Sequence, residues 1–179
     1  MLTIRELQEP SDRDGVAALE TAFETATIFD VVVTPQRIEL VPRTLAQPLV
    51  KRYPIADVFA HWAMWETGFV ADDDGAIVGF AAIAYEAWHE RLVLWHLYVA
   101  PERRREGIGR ALLERVEAHG RELGASRVWL ETSNVNVPGI AAYARLGYAL
   151  CGVDTTLYDG TSTADEAAIY LSKSLLAHR

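Results

Sequence analysis

The stretch from Leu92 to Gly124 constrains the fold most, because its hydrophobic pattern changes from that of a strand to that of a helix. Residues 92–99 are apolar nearly throughout and rich in β-branched and aromatic side chains, as in a central strand covered on both faces. Ala100-Pro101 ends this run. From Ile108, apolar side chains recur at positions 112, 116 and 123, and Gly124 is a stop signal, so the pattern predicts an amphipathic helix. A strand, a loop and a helix in this order favour an α/β domain.

The loop between this strand and this helix has the residue types that an anion requires. Residues 102–110 carry four arginines against two glutamates, a local charge of +2 in a chain whose net charge is −8. A charge run alone usually marks a solvated surface. This one stands at a helix start, where the first N–H groups lack partners and the helix dipole favours an anion. Gly107 and Gly109 would let a ligand approach the backbone closely. We therefore predict a pyrophosphate site over residues 104–109, with a tight turn as the alternative.

The other elements follow from apolar periodicity, turn residues and glycine stops. We predict strands over residues 2–7, 66–71, 76–85, 127–132, 148–153 and 167–171, and helices over residues 11–26, 55–64 and 137–146. Asp-Asp-Asp-Gly at 72–75 indicates a hairpin turn. Residues 31–54 contain four of the seven prolines and show no sustained period. We expect them to form an irregular insert, either a substrate lid or a plain surface insertion.

Length and charge limit the classes of function. A chain of 179 residues favours a single domain over 1–179. The net charge of −8 argues against a nucleic-acid partner and favours a small cationic substrate. The apolar runs of the chain are too short for a membrane span, and its first residues lack the pattern of a signal segment. We therefore expect no membrane partner and a cytoplasmic location. With Cys151 as the only cysteine and no histidine cluster, we expect no metal site. The sequence does not decide the oligomeric state between a monomer and a homodimer.

The loop also resembles a known motif. Arg104, Gly107 and Gly109 are similar to the acetyl-CoA motif of the GNAT acetyltransferase family, and Leu97-Tyr98-Val99 to the strand that carries acetyl-CoA in that family. The second motif of the family is similar to Leu130-Glu131-Thr132, Asn134, Asn136-Val137-Pro138, Ala142-Tyr143 and Leu146-Gly147-Tyr148. Together these motifs cover about the C-terminal half of the chain. Within the family, the streptothricin acetyltransferases look most similar, on Gly152-Val153-Asp154, Tyr158, Ile169-Tyr170 and Lys51-Arg52-Tyr53.

The resemblance implies a fold and an activity. The fold would be α/β, with a mixed, mostly antiparallel central sheet of about six to seven strands flanked by helices. The activity would be transfer of an acetyl group from acetyl-CoA to a primary amine by direct attack in a ternary complex. In the resembling subfamily that amine is the β-lysine amine of an antibiotic, which implies antibiotic resistance. A noncatalytic acyl-CoA sensor or scaffold is the alternative.

The resemblance also assigns roles to residues. Tyr143 would protonate the leaving thiolate, with a core tyrosine as the alternative, and backbone N–H groups near Tyr98 and Val99 would stabilise the oxyanion. Glu131 is the candidate base, with a water chain or an exposed strand-end glutamate as alternatives. The expected acetyl-CoA contacts are Leu97, Tyr98, Val99, Arg104, Arg105, Gly107, Ile108, Gly109, Arg110, Asn136 and Tyr143.

Four residues are candidates for the acceptor site. Glu131, Asp154 and Trp88 are expected to bind the substrate, and Glu66 is a further possible anchor for a second cationic group. Trp88 lies in a turn between strands, where it could equally pack on the sheet edge. Asn136 could cap the helix that begins at Pro138 instead of contacting the cofactor.

Overall fold

The computed structural model describes residues 1–176. Over this range the strands are β1 (Leu2–Glu6), β2 (Phe23–Thr34), β3 (Arg37–Lys51), β4 (Thr67–Asp73), β5 (Ala76–Glu86), β6 (Arg91–Val99), β7 (Arg127–Ser133), β8 (Ala149–Asp154) and β9 (Ala168–Ser174). The helices are α1 (Arg13–Ala17), α2 (Ile108–Glu122) and α3 (Val137–Arg145), with 3₁₀ turns at Ile55–Phe59, Ala87–His89 and Pro101–Arg103.

The strands form one large sheet and one small sheet. Within the described residues, β1-β4-β5-β6-β7-β9-β8 is the order of a seven-stranded sheet, and β2-β3 is a separate two-stranded sheet. The pairs β1–β4, β4–β5, β5–β6 and β8–β9 are antiparallel. The predicted α/β fold with a mixed, mostly antiparallel sheet and flanking helices is confirmed. Its central strand is β6, as the apolar run at 92–99 indicates.

The chain divides into two compact units. The first consists of residues 1–23, 52–128 and the end of the chain from Ser174, and the second of residues 24–51 and 129–173. The single domain over 1–179 stays a prediction. Among the described residues, no helix has the length and apolar character that a membrane crossing requires.

In the first unit, helices cover both faces of β4, β5 and β6. One face carries α1 and the 3₁₀ turn at 55–59, which bury Val16 and Val58 against Phe80. On the other face, α2 lies against β5 at Gly79, where an added Cβ would come within 3.1 Å of Ile108 and Leu112. Glycine at this position therefore lets the start of α2 approach the sheet closely, which fixes where that helix begins.

In the second unit, Asn134 connects three segments just after β7. Its backbone N–H and side-chain Oδ1 pair with the backbone of Ala167, both at 2.9 Å. Its side-chain amide donates to the carbonyl of Phe29 at 2.7 Å, and the Phe29 N–H donates back to the Asn134 carbonyl at 3.1 Å. A buried asparagine whose groups are all engaged holds β2 and the start of β9 in place.

The helix predicted over residues 11–26 is wrong beyond its first turns. Only Arg13–Ala17 is helical, and the residue before it is Asp12 rather than the expected cap Ser11. Asp12 accepts two bonds from the Arg5 guanidinium at 2.6 and 2.8 Å, so its carboxylate anchors α1 to β1. From Phe23 the chain is a strand, because a segment rich in threonine, isoleucine and valine favours extended backbone over helix.

The irregular insert predicted over residues 31–54 is also wrong. Most of it lies in β2 and β3, which form a two-stranded sheet of their own among the described residues. Pro35 lies in the turn between them, and Pro42 and Pro48 lie within β3. Both strands of a two-stranded sheet are edges, so each can hold prolines that lack a donor N–H. The prolines that indicated a loop are therefore compatible with strands, and the lid role stays a prediction for this sheet.

Two smaller predictions were partly wrong. The helix expected over residues 55–64 is a 3₁₀ turn limited to Ile55–Phe59. Glu117 in α2 was expected on the outer face but is buried. Leu123, which directly follows α2, was expected to point inward and is 42% exposed. The hairpin turn at 72–75, the helix α2 and the pair β8–β9 are confirmed.

Candidate active site

In the first unit, the loop from β6 to α2 turns sharply into an uncapped helix. Arg105 and Gly107 both have left-handed backbone, with φ of +68° and +88°. Such a conformation costs an arginine free energy and is typical of functional loops. Gly107 precedes α2, and no side chain caps the helix. The first N–H groups of α2 therefore have no side-chain acceptor at the helix start and can donate to an anion.

The arginines of this loop differ in how their charges are compensated. Arg103 is paired with Asp73 and Glu106, both at 2.8 Å, and Arg110 is paired with Glu114 at 2.8 Å. Within residues 1–176, Arg104 and Arg105 form no salt bridge. Arg104 is held in place because its Nε donates to the Val99 carbonyl at 3.0 Å. The charges of Glu20 and Glu102 act on Arg104 without a direct ion pair. Two guanidinium groups that form no salt bridge with the described residues thus stand at the start of α2.

The two glycines of the loop serve different purposes. A Cβ at Gly107 would meet no protein atom within 4 Å, so its positive φ, rather than crowding, is the reason for glycine there. A Cβ at Gly109 would lie 3.6 Å from Val99, which is ordinary contact. The backbone at Gly107 is open on its outer side. Together with the uncapped helix and the two arginines that form no salt bridge, this arrangement is chemically suited to an anion.

The strand that leads into the loop contains a bulge. On β5, Ile83 pairs with Leu94 and Ala82 with His96, which leaves Trp95 as an extra residue on β6. Beyond the bulge, His96 and Tyr98 share one face, and the His96 Nδ1 lies 3.2 Å from the Tyr98 hydroxyl. Burial lowers the pKa of His96 to about 4 and raises the pKa of Tyr98. His96 is therefore neutral at pH 7. The sequence analysis missed its pairing with Tyr98, although the spacing of two along a strand places both side chains on one face.

In the second unit, alternation along β7 is as predicted. Val128 and Leu130 are buried, whereas Trp129 and Glu131 lie half-buried on the opposite face. The Tyr158 hydroxyl donates to the Glu131 Oε1. Burial raises the pKa of Glu131, while the bond from Tyr158 opposes that rise. Glu131 is therefore a partly buried, hydrogen-bonded carboxylate and not an exposed strand-end residue.

A second buried charge group lies near Glu131. Lys51 at the end of β3 pairs with the Glu166 carboxylate, which also accepts a bond from the Ser133 hydroxyl. The pKa of Glu131 is lowered by the charge of Lys51 and raised by that of Glu166. Sequence analysis did not identify this group, because Lys51 and Glu166 are 115 residues apart.

The other residues expected from the second motif are also in this unit. Asn136 caps α3: its Oδ1 accepts from the Gly139 N–H at 3.1 Å, and its Nδ2 donates to Thr132 at 2.9 Å. Asn136 therefore has the helix-capping role that was the alternative to a cofactor contact. The cofactor contact stays a prediction. Tyr143 is half-buried, with its ring edge-on to Tyr148 at 5.6 Å.

The remaining substrate candidates are distributed over both units. Asp154 at the end of β8 accepts two bonds from Thr156, at 2.8 Å each, which lower its pKa. Trp88 is 85% exposed and stacks on His89. Glu66 accepts a bond from the Tyr85 N–H at 3.2 Å.

An uncapped helix start beside the central strand of a sheet is suited to the phosphate groups of a cofactor. Residues 39–148 match the model of the acetyltransferase (GNAT) family. Streptothricin acetyltransferase of Streptomyces lavendulae is 40% identical over 171 residues, 91% of this chain and 90% of that protein. The crystal structure of nourseothricin acetyltransferase has a TM-score of 0.87 and 39% identity, covering 98% of this chain and 99% of that one.

A structure from Bacillus anthracis in complex with acetyl coenzyme A has a TM-score of 0.82, covering 97% of this chain and 99% of that one. At 22% identity it supports the fold alone. The family match and the full-length likeness carry the assignment. The chain belongs to the GNAT acetyltransferase family, and it is an N-acetyltransferase that uses acetyl-CoA.

Proposed function

We propose that this N-acetyltransferase acetylates a primary amine of a streptothricin-type antibiotic, the β-lysine amine, and thereby confers resistance. The observation that carries the proposal is a likeness extending over nearly the whole chain. The relative named streptothricin acetyltransferase matches 91% of this chain at 40% identity, and the nourseothricin acetyltransferase structure covers 98% of it. The match therefore includes the N-terminal half, which lies outside the motifs that recognise the cofactor.

The charges of the second unit support a cationic acceptor. Burial raises the pKa of Tyr170, and the charges of Asp154 on β8 and Glu131 on β7 raise it further. The Tyr170 ring stacks on Trp129 with 5.0 Å between centroids. Carboxylates beside aromatic faces attract ammonium and guanidinium groups. We propose that Glu131 binds the reacting amine and that Asp154 binds a second cationic group, with Glu66 and Trp88 as further contacts.

Three groups of residues carry out the proposed reaction. An ammonium with a pKa near 10.4 costs about 4.6 kcal/mol to deprotonate at pH 7, and Glu131 accepts its proton. Burial raises the pKa of Glu131, which makes it a stronger base than an exposed glutamate. The amine then attacks the thioester carbonyl, with the N–H groups near Tyr98 and Val99 stabilising the oxyanion. Tyr143 protonates the departing thiolate.

The cofactor roles are proposed residue by residue. The pyrophosphate is bound by Arg104, Arg105 and the N–H groups of Gly107, Ile108, Gly109 and Arg110. These are the arginines without a salt bridge and the uncapped donors at the start of α2. Leu97, Tyr98 and Val99 bind the pantetheine arm by backbone hydrogen bonds. Asn136 and Tyr143 complete the expected contacts.

Release of free CoA from acetyl-CoA tests the acceptor. Purified protein is incubated with acetyl-CoA and streptothricin, nourseothricin, polyamines or lysine, and free thiol is measured. We expect turnover with the two antibiotics and little with the simple amines. Glu131→Gln serves as the matched variant and should lower kcat/KM by at least about a hundredfold. Acetyl-CoA binding without turnover on any amine would instead indicate an acyl-CoA sensor.

The wider properties are proposed on the same basis. We infer that residues 1–179 work as a single catalytic domain in the cytoplasm, as a monomer or a homodimer. The net charge of −8 supports a small cationic partner over a nucleic acid or an anionic membrane surface. Size-exclusion chromatography with light scattering distinguishes the two oligomeric states.

A further inference from the structure

Tyr158 contacts the candidate base from a loop that local hydrogen bonds hold in shape. It lies between β8 and β9, 27 residues after Glu131, and its hydroxyl donates to the Glu131 Oε1. The Tyr158 carbonyl accepts bonds from the Thr161 N–H at 3.0 Å and the Thr161 hydroxyl at 2.7 Å. Just before it, Thr156 bonds the Asp154 carboxylate. The phenol is therefore presented by a loop that is ordered on both sides.

The surroundings of Glu131 explain why a neutral donor matters there. Burial raises the pKa of the carboxyl group, and Tyr158 opposes that rise by donating to the ionised form. Lys51 on β3 also lowers the pKa and Glu166 raises it, but these two residues are paired with each other. Burial raises the pKa of Tyr170 on β9, and the charges of Asp154 and Glu131 add to that rise. The hydroxyl of Tyr158 donates its hydrogen bond directly to the Glu131 carboxylate.

We propose that Tyr158 is a positioning residue for the acceptor site, which holds Oε1 of Glu131 so that Oε2 faces the ammonium and takes its proton. The inference rests on the proposed role of Glu131 as the base. The proton passes from the ammonium nitrogen to Oε2, and the lone pair left on nitrogen forms the C–N bond to the thioester carbonyl carbon. The C–S bond then breaks, the thiolate takes the proton of Tyr143, the second nitrogen proton passes to the Tyr143 oxygen, and Glu131 releases its proton to water. Tyr158 keeps its own proton throughout. The hydroxyl thus fixes the orientation of the base and keeps it ionised at a lower pH than burial alone would allow.

The test compares Tyr158→Phe with wild-type protein, and Tyr85→Phe is the matched control. Tyr85 lies on β5 in the first unit, and its backbone N–H donates to Glu66, a bond that the change to phenylalanine leaves in place. The first readout is the pKa of Glu131, followed by NMR of 13C-labelled glutamate side chains and assigned with Glu131→Gln. We expect the pKa of Glu131 to rise in Tyr158→Phe and to stay unchanged in Tyr85→Phe. Thermal unfolding of each variant checks that the fold is intact.

The second readout is the pH profile of kcat/KM for the acceptor amine. A base must be ionised to act, so a raised pKa moves the acidic limb of the profile to higher pH. At pH 6 we expect Tyr158→Phe to lose about tenfold in kcat/KM, and less than that at pH 9. In a Glu131→Gln background the same change should have little further effect, because the two residues act as one unit.

The outcomes separate this inference from the proposed function. An unchanged pKa of Glu131 in Tyr158→Phe, or an equal loss of activity at all pH values, overturns the role of Tyr158. If Glu131→Gln leaves both turnover and the pH profile unchanged, the assignment of the base itself is wrong. A raised pKa of Glu131 in Tyr158→Phe without any effect on turnover would show that the contact exists but does not serve this reaction, and would also overturn the inference.

Discussion

The loop from Arg104 to Gly109 and the group around Glu131 are built in opposite ways. The loop is made of consecutive residues, and its backbone supplies much of the chemistry: an uncapped helix start and a left-handed glycine. The Glu131 group is made of side chains from distant segments, with Tyr158 bonded to Glu131 and Lys51 bonded to Glu166. The first arrangement needs only a short stretch of chain in the right order. The second requires the whole second unit to be folded.

This difference has consequences for what each region tolerates. A site made from backbone N–H groups is sensitive to added bulk or negative charge but tolerant of many side-chain changes. A site made from buried, paired side chains is sensitive to loss of one partner, because the other is left as an uncompensated charge. The following variants test that contrast.

The largest expected effect is on the loop. Gly107→Glu should abolish detectable acetyl-CoA binding, because it puts a carboxylate and its side chain where the pyrophosphate would lie. Gly124→Glu is the matched control: Gly124 also has a positive φ, +80°, and open space around its Cβ. It follows the other end of the same helix. Both variants carry the same kind of backbone strain, so titration calorimetry with acetyl-CoA isolates the effect of position.

If both glycine variants bind acetyl-CoA as tightly as the wild-type protein, the pyrophosphate must lie elsewhere. Equal loss in both would show that strain, rather than obstruction of the pyrophosphate, is responsible. Only a loss confined to Gly107→Glu supports a site built from the backbone of this loop.

The next effect concerns the second unit and is on stability. Lys51→Met leaves Glu166 without its cation, and the two side chains are only 14% and 13% exposed. We expect a loss of about 3 kcal/mol in the free energy of unfolding. Arg43→Met is the control in the same strand, because Arg43 and Asp30 are 51% and 46% exposed. That variant should lose less than about 1 kcal/mol. Urea denaturation measures the free energy of unfolding of both variants. Similar losses would show that the buried pair contributes no more to stability than the exposed one.

The contrast also explains what could be predicted from the sequence. The strand at 92–99, the loop and α2 follow one another, so periodicity and glycine position were sufficient to predict them. Alternation along β7 correctly placed Trp129 and Glu131 on one face. The pairings of Glu131 with Tyr158 and of Lys51 with Glu166 depend on how distant segments pack, which no local pattern contains. β3 was missed because Pro42 and Pro48 are typical of loops unless the two-stranded pairing is known. The start of β2 was missed because it was predicted as the end of a helix.

A third variant addresses the chemistry. Tyr143→Phe should lower kcat by about a hundredfold, because the departing thiolate loses its proton donor. The dissociation constant for acetyl-CoA should change little, since the ring is retained. The kcat is followed by thiol release and the dissociation constant by calorimetry. A large loss of affinity with normal kcat would instead assign Tyr143 a binding or core role.

The smallest expected effect distinguishes two neighbouring arginines of the loop. Arg103 is already compensated by Asp73 and Glu106, whereas Arg105 forms no salt bridge within residues 1–176. Arg105→Gln should therefore weaken acetyl-CoA binding by about tenfold, and Arg103→Gln by less than about twofold. Because the interaction is with a phosphate, the effect of Arg105→Gln should shrink as salt concentration rises. Calorimetry at low and high ionic strength measures both. If the two variants lose affinity equally, the charge of the loop acts as a whole, and the division between compensated and uncompensated arginines has no functional meaning.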